Sequence, residues 1–129
     1  MSGPPHAYLA KAKACLKEAA AVAEIGFHEA AGRAAYLAAY HAAQALILAP
    51  SGKIVKTHSG ARSEFARLAR EDAALGRDLT SFLARTYNLK VAADYEVGSS
   101  ATVTSSEAVE AIAGADKFVA AIERVLPES

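Results

Sequence analysis

The sequence has no tryptophan, one methionine and a single cysteine, Cys15, among its 129 residues. One thiol excludes an internal disulfide framework and any zinc centre built on several cysteines. Proline and glycine are sparse, at four and eight residues, which excludes collagen-like and low-complexity chains. There is no excess charge of one sign. Lys and Arg number 14 against 14 Asp and Glu, so a strongly cationic nucleic-acid binder is disfavoured, though a local basic patch is not. Long apolar runs are missing too. The stretches Ala42-Ala43 and Ala45 to Pro50 are far too short to span about 30 Å of hydrocarbon. The opening Met-Ser-Gly-Pro-Pro-His lacks the charged-then-apolar pattern of a signal peptide. The expectation is a cytoplasmic protein with no membrane partner, folded as one domain over residues 1–129.

What is present is alanine at helical spacing. Hydrophobic residues are 53% of the chain and charged ones 22%, which excludes a disordered chain. Alanine alone makes up about a quarter. It is the best helix former because it loses no side-chain entropy. It also buries little area, so at about 25 cal/mol per Å² the few large residues carry much of the burial energy. Such a chain needs extensive contact or a partner surface.

Five helical segments are expected. Pro4-Pro5 can open the first, where a missing N–H is harmless, and Leu9, Ala12, Leu16, Ala19 and Ala23 give it an apolar stripe. Gly26 breaks the pattern. The second runs from about Phe27 to Ala49, with Ala31, Ala34, Ala38, Ala42, Ala45 and Leu46 as its stripe, and Pro50-Ser51-Gly52 stops it. Residues 51–59 read as a polar loop. A short third helix spans about Gly60 to Arg70, with Ser59 as N-cap and Phe65 and Leu68 inward. After a connector at Asp72 to Gly76, a fourth covers about Arg77 to Val97, carrying Leu79, Phe82, Leu83, Thr86, Leu89 and Ala93. A loop at Gly98 to Val103 leads to Thr104-Ser-Ser-Glu107, the pattern of a capping box. It opens a last helix with Val109, Ile112, Ala115, Val119, Ile122 and Leu126 apolar, ended by Pro127. No strand alternation occurs. The fold class is all-α, a four-helix bundle with a short additional helix.

Chemistry concentrates in three places. On the second helix Arg33, Tyr36, Tyr40 and Gln44 fall on one side, with His41 next to them. Such a row can stack a base and grip a phosphate, or bury its rings at an interface. Lys53 and Lys56 lead through Thr57 and His58 into a helix N-terminus, where free N–H groups can bind an anion. The plainer reading is a capping turn with solvated lysines. On the fourth helix Lys90 and Asp94 form an i, i+4 pair, in the plainer reading a solvated one. His6, His28, His41 and His58 are scattered, so no metal site and no cofactor is expected. Cys15 reads as a small buried hydrophobe. The Gly-x-Ser-x-Gly elbow and the phosphate-binding P-loop are both missing.

The run Arg33-Ala-Ala-Tyr36-Leu-Ala-Ala-Tyr40-His41-Ala-Ala-Gln-Ala-Leu, then Lys56-Thr57-His58-Ser59-Gly60 with Phe65 beyond, then Ala93-Asp94-Tyr95-Glu96, then Lys117-Phe118-Val119, resembles the HEPN domain family. The closest branch comprises small prokaryotic members with a Thr-His-Ser-Gly turn. The resemblance covers about residues 6 to 126. It implies an up-and-down four-helix bundle with a short extra helix, and a homodimer. It also implies a minimal nucleotidyltransferase as partner, in a toxin–antitoxin module. Toxin members are metal-independent ribonucleases with an Arg-x(4–6)-His motif at the dimer cleft. The motif arginine corresponds here to Lys90, and the histidine position holds Asp94 or Tyr95. Tyrosine, with a pKa of about 10, is a poor general base at neutral pH. Lysine lacks the planar fork that holds a phosphate in two places. These departures weigh against an enzyme and leave the catalytic residues unassigned. His41 or His58 could approach the site through the fold and restore a histidine. Tyr95 corresponds to the tyrosine that some antitoxins modify with AMP; in the plainer reading it is a helix-end ring packed on the bundle. Three functions follow: a nucleotide- or RNA-binding partner protein with a degenerate motif, an active ribonuclease toxin, and a helical scaffold that binds no ligand.

Overall fold

The computed structural model describes residues 3–95, 97 and 103–127. Five helices follow one another: α1 Pro4–Glu24, α2 His28–Ser51, α3 His58–Arg70, α4 Gly76–Tyr95 and α5 Ser105–Val125. Among the described residues there is no strand. The all-α bundle with one shorter helix is thus the architecture. No helix is long and apolar enough to cross a membrane among the described residues.

Helix α2 is the axis of the bundle and touches all four others. Its sequence explains why. Ala31, Ala34, Ala35, Ala38, Ala39, Ala42, Ala43 and Ala45 are all buried, and so is Gly32. A helix apolar over most of its circumference is largely buried, and small side chains let neighbours approach closely. The large residues come mostly from the surrounding helices. Phe65 of α3 and Phe118 of α5 are fully buried with ring centres 5.0 Å apart, and Phe82 of α4 lies 6.3 Å from Phe118. Gly114 on α5 makes room for Phe82: a Cβ there would stand 2.2 Å from its Cε1.

The helix ends refine the expected boundaries. Gly26 takes φ 90°, a left-handed turn that suits glycine alone. Helix α2 begins one residue later than expected, with Phe27 as its N-cap and 59% exposed. It also runs through Pro50 and stops at Gly52, whose φ is 73°. Proline is tolerated there because it removes a single hydrogen bond from the last turn. The N-cap of α3 is Thr57, not Ser59. The Thr57 hydroxyl accepts from the Gly60 N–H at 3.0 Å, and the helix starts two residues earlier than its expected Gly60. Thr57 wins because its extended backbone points the oxygen at the first free N–H groups. At α5 the capping box forms as its pattern demands: the Glu107 N–H donates to Thr104 at 3.1 Å and the Thr104 N–H to Glu107 at 2.9 Å.

Helix α5 buries Ala115, Val119, Ile122 and Leu126 of its expected stripe and departs from it at Val109. Val109 is 61% exposed, while Ala108, Ala111, Ala115, Phe118 and Ile122 point inward. The alanines seat α5 close against α2, so the bulkier Val109 is turned out. Helix α4 ends at Tyr95, two residues short of the expected Val97. Glu96 and the loop residues Gly98 to Thr102 lie outside the described residues.

Candidate functional site

Three helices bring one cluster together. Helix α2 supplies Tyr36 and Tyr40, one turn apart. The cap at Thr57 sets His58 as the first residue of α3, and Arg62 follows one turn on. Helix α4 supplies Tyr87 and Lys90, three residues apart and so on one face. The His58 ring centre lies 4.5 Å from that of Tyr40, 5.6 Å from Tyr36 and 5.5 Å from Tyr87. Tyr36 and Tyr87 meet edge to face at 5.5 Å. The Arg62 guanidinium sits 4.3 Å from the centre of the Tyr87 ring, a cation–π contact. The Tyr36 hydroxyl and His58 Nδ1 are hydrogen-bonded at 2.7 Å.

The loop that delivers His58 is tied down by Gln44. Its amide nitrogen donates to the Tyr40 hydroxyl at 2.9 Å and to the Val55 carbonyl at 2.6 Å, while its oxygen accepts from the Val55 N–H at 3.4 Å. Gln44 is buried, so these partners satisfy a polar group that would otherwise be costly to bury.

Electrostatics make the cluster a neutral base among cations. Burial, and then the charges of Lys90 and Arg62, hold His58 below the usual imidazole range. Burial drives the Tyr36 phenol well above its ordinary value, against the pull of Arg62. Lys90 hydrogen-bonds Asp94, which raises its pKa against the cost of burial. The two are 3.0 Å apart, with the Lys90 side chain only 11% exposed. Asp94 also binds Arg33 at 2.8 Å. Burial works to raise its pKa, but Lys90 and Arg33 together hold it below the usual carboxylate value. Arg62 keeps a buried Nη1 without a hydrogen-bond partner.

The expected site residues divide. Tyr36, Tyr40, His58 and Lys90 come together, and Arg33 joins through Asp94. The row along α2 is split by depth: Tyr36 is fully buried, Tyr40 half-buried and Arg33 exposed. The solvated reading of the Lys90–Asp94 pair is corrected, because α4 turns Lys90 towards the rings. His41 lies outside the polar centre, 5.6 Å from the Tyr40 ring and 6.3 Å from Tyr8. Burial, with Lys11 and His58 nearby, lowers its pKa to about 4. Lys53 and Lys56 are exposed. Tyr95 is 71% exposed, not packed on the bundle, although Lys90 Nζ lies 5.2 Å from its ring centre. Cys15 is half-buried, its thiol pKa raised chiefly by burial.

Sequence reasoning missed Arg62 and Tyr87. The available signal was spacing: Arg62 stands four residues after His58, and Tyr87 three before Lys90. A groove of about 660 Å³, lined by Ala66, Arg70, Arg77 and Thr80 among others, lies at the far end of α3, away from the cluster. Its lining has neither aromatic ring nor histidine. What the cluster can do is plain from its groups. Aromatic faces can stack a planar ring. Arg62 and Lys90 can hold an anion. A neutral imidazole near them can donate or accept one proton.

The fold and this site define a class, an all-helical bundle bearing an aromatic and cationic cluster on its central helix. The family model of the HEPN domain matches residues 6–125, and the chain belongs to that family. A comparison with curated proteins gives no match.

Proposed function

We propose that this HEPN protein binds a nucleotide or an RNA segment at the Tyr40–His58–Tyr87 cluster. The observation that carries the reading is the meeting of three ring systems with two cations, Arg62 and Lys90, around His58. A stacked base and a paired phosphate are the ligand parts that such a set serves best. We further propose that the chain acts as a homodimer. Its partner is a minimal nucleotidyltransferase in a toxin–antitoxin-like module, with the Arg-x(4–6)-His motif degenerate at Lys90 and Asp94. Exposed Tyr95 is the candidate for modification with AMP. Arg33 and Asp94 steady the cationic side, and Lys53, Lys56 and His41 are peripheral to it.

One observation favours a second reading, an active ribonuclease. His58 sits within one chain against Tyr40 and near Lys90, and a neutral imidazole suits proton removal from a 2′-hydroxyl. The two readings part in one assay. Metal-free cleavage of a mixed RNA by the folded protein, lost in Lys90→Ala and His58→Gln, supports the ribonuclease. Binding of RNA without cleavage, weakened by Lys90→Ala, supports the partner protein. Neither binding nor cleavage leaves the ligand-free scaffold.

A further inference from the structure

The cluster holds a decision about a single proton. Tyr36 is fully buried, and its hydroxyl has one proton to give and lone pairs to receive with. Its oxygen is hydrogen-bonded to His58 Nδ1 at 2.7 Å, and the Arg62 guanidinium acts on it with its charge. A guanidinium is a donor only. A buried O–H turned towards it would meet no acceptor there and be left unsatisfied. The lone pairs of Tyr36 therefore face Arg62, and its proton goes to His58 Nδ1. Once Nδ1 accepts, the proton of the neutral ring must reside on Nε2. Nε2 has no hydrogen-bond partner among the described residues, nor is it a buried unpaired atom.

We infer that Tyr36 is a positioning residue that holds His58 as the Nε2–H tautomer, so that a neutral imidazole donates to an anionic ligand beside Arg62 and Lys90. The inference rests on reading the cluster as an anion site. A histidine at such a site would ordinarily bind as the imidazolium. Here that form is opposed by burial and by the charges of Lys90 and Arg62. From α2 His58 faces Tyr36, Tyr40 and His41, from α3 Arg62, and from α4 Tyr87 and Lys90. No carboxylate of the described residues is among them; Asp94 is held by Arg33 and Lys90. Protonating Nδ1 would also set its N–H against the Tyr36 O–H. The ligand that fits is a phosphodiester, which accepts hydrogen bonds, keeps a constant charge and brings no proton.

Long-range proton–nitrogen correlation NMR on the full chain, with His58 assigned through His58→Gln, reads the tautomer without any ligand. The expected result at neutral pH is a protonated Nε2 and a bare Nδ1. A protonated Nδ1, or an imidazolium, overturns the inference, and this wild-type measurement decides even if variants fail to fold. Tyr36→Phe keeps the ring and removes the hydroxyl. It should release His58 to a mixture of tautomers and raise its titration midpoint. An unchanged tautomer in the folded variant overturns the positioning role. A dinucleoside phosphate is the ligand probe, and its affinity should change less than about threefold between pH 8 and pH 6. A gain approaching tenfold per unit of acidification would mark imidazolium binding and overturn the inference. If the tautomer holds but the probe does not bind, the anion-site reading fails and the role of Tyr36 in setting the proton stands.

Discussion

Two ring clusters share helices α3 and α4 and are put to different use. Phe65 and Phe82 meet Phe118 of α5, with ring centres 5.0 and 6.3 Å from it. One to two turns away on the same helices, His58 and Tyr87 meet Tyr36 and Tyr40 of α2 at 4.5 to 5.6 Å. The distances are alike and the chemistry is not. The phenylalanine cluster has no polar atom to satisfy and is fitted so closely that Gly114 has no room for a Cβ beside Phe82. In the second cluster every ring has a polar handle, and a cation lies against its edge. The contrast shows how one pair of helices can hold a fold together with one face and expose reactive groups with the next.

Breaking the first cluster should cost most. Phe118→Ala empties a fully buried site and is expected to lower unfolding free energy by about 3–5 kcal/mol, read by chemical denaturation. Gly114→Ala forces a methyl into the Phe82 ring and should cost about 1–3 kcal/mol. Pairing it with Phe82→Leu should return part of that loss, a coupling that a double-mutant cycle measures.

The second cluster should answer in binding more than in stability. Tyr40 is only half-buried, so Tyr40→Ala is expected to keep helix content by circular dichroism. It should weaken binding of a dinucleoside phosphate about tenfold, within the roughly 1–3 kcal/mol that a stacked base is worth. Severe unfolding instead would make Tyr40 a packing residue and erase the distinction between the clusters. Acid should tell them apart as well. His41, beside Tyr40, has its pKa lowered to about 4, while in the unfolded chain it is about 6.5. Its contribution is whole above pH 6.5, declines as pH falls, and is gone below about 4. Discounted for partial exposure, the loss is about 1–2 kcal/mol. Denaturation midpoints at pH 7 and pH 4.5 check it, and His41→Leu should flatten the profile.

The helices were legible because alanine spacing, Pro4-Pro5 and the Thr104–Glu107 box act locally. The turn at Thr57 was not. Ser59 and Thr57 are both good caps, and only the path of the loop, set by Gln44 and Val55, selects between them. Tyr36, Tyr40, His58 and Lys90 could be singled out by residue type. Their meeting could not, since it depends on how α3 and α4 are rotated about α2. That rotation also explains Arg62 and Tyr87, which look like ordinary surface residues until α2 is beside them. Val109 is the opposite case, apolar by type and facing solvent because α5 presents its alanines to α2.

The side chain of Gln44 does for Val55 what a neighbouring strand would do, engaging both its carbonyl and its N–H. The consequence concerns time. An amide in a stretch flanked by exposed residues ordinarily exchanges its hydrogen with water quickly. The Val55 amide should exchange at the pace of the α2 core, because it opens only when Gln44 leaves the bundle. In hydrogen exchange, one slow clock should sit between the fast ones of Ile54 and Lys56, and Gln44→Ala should set all three to the same rate.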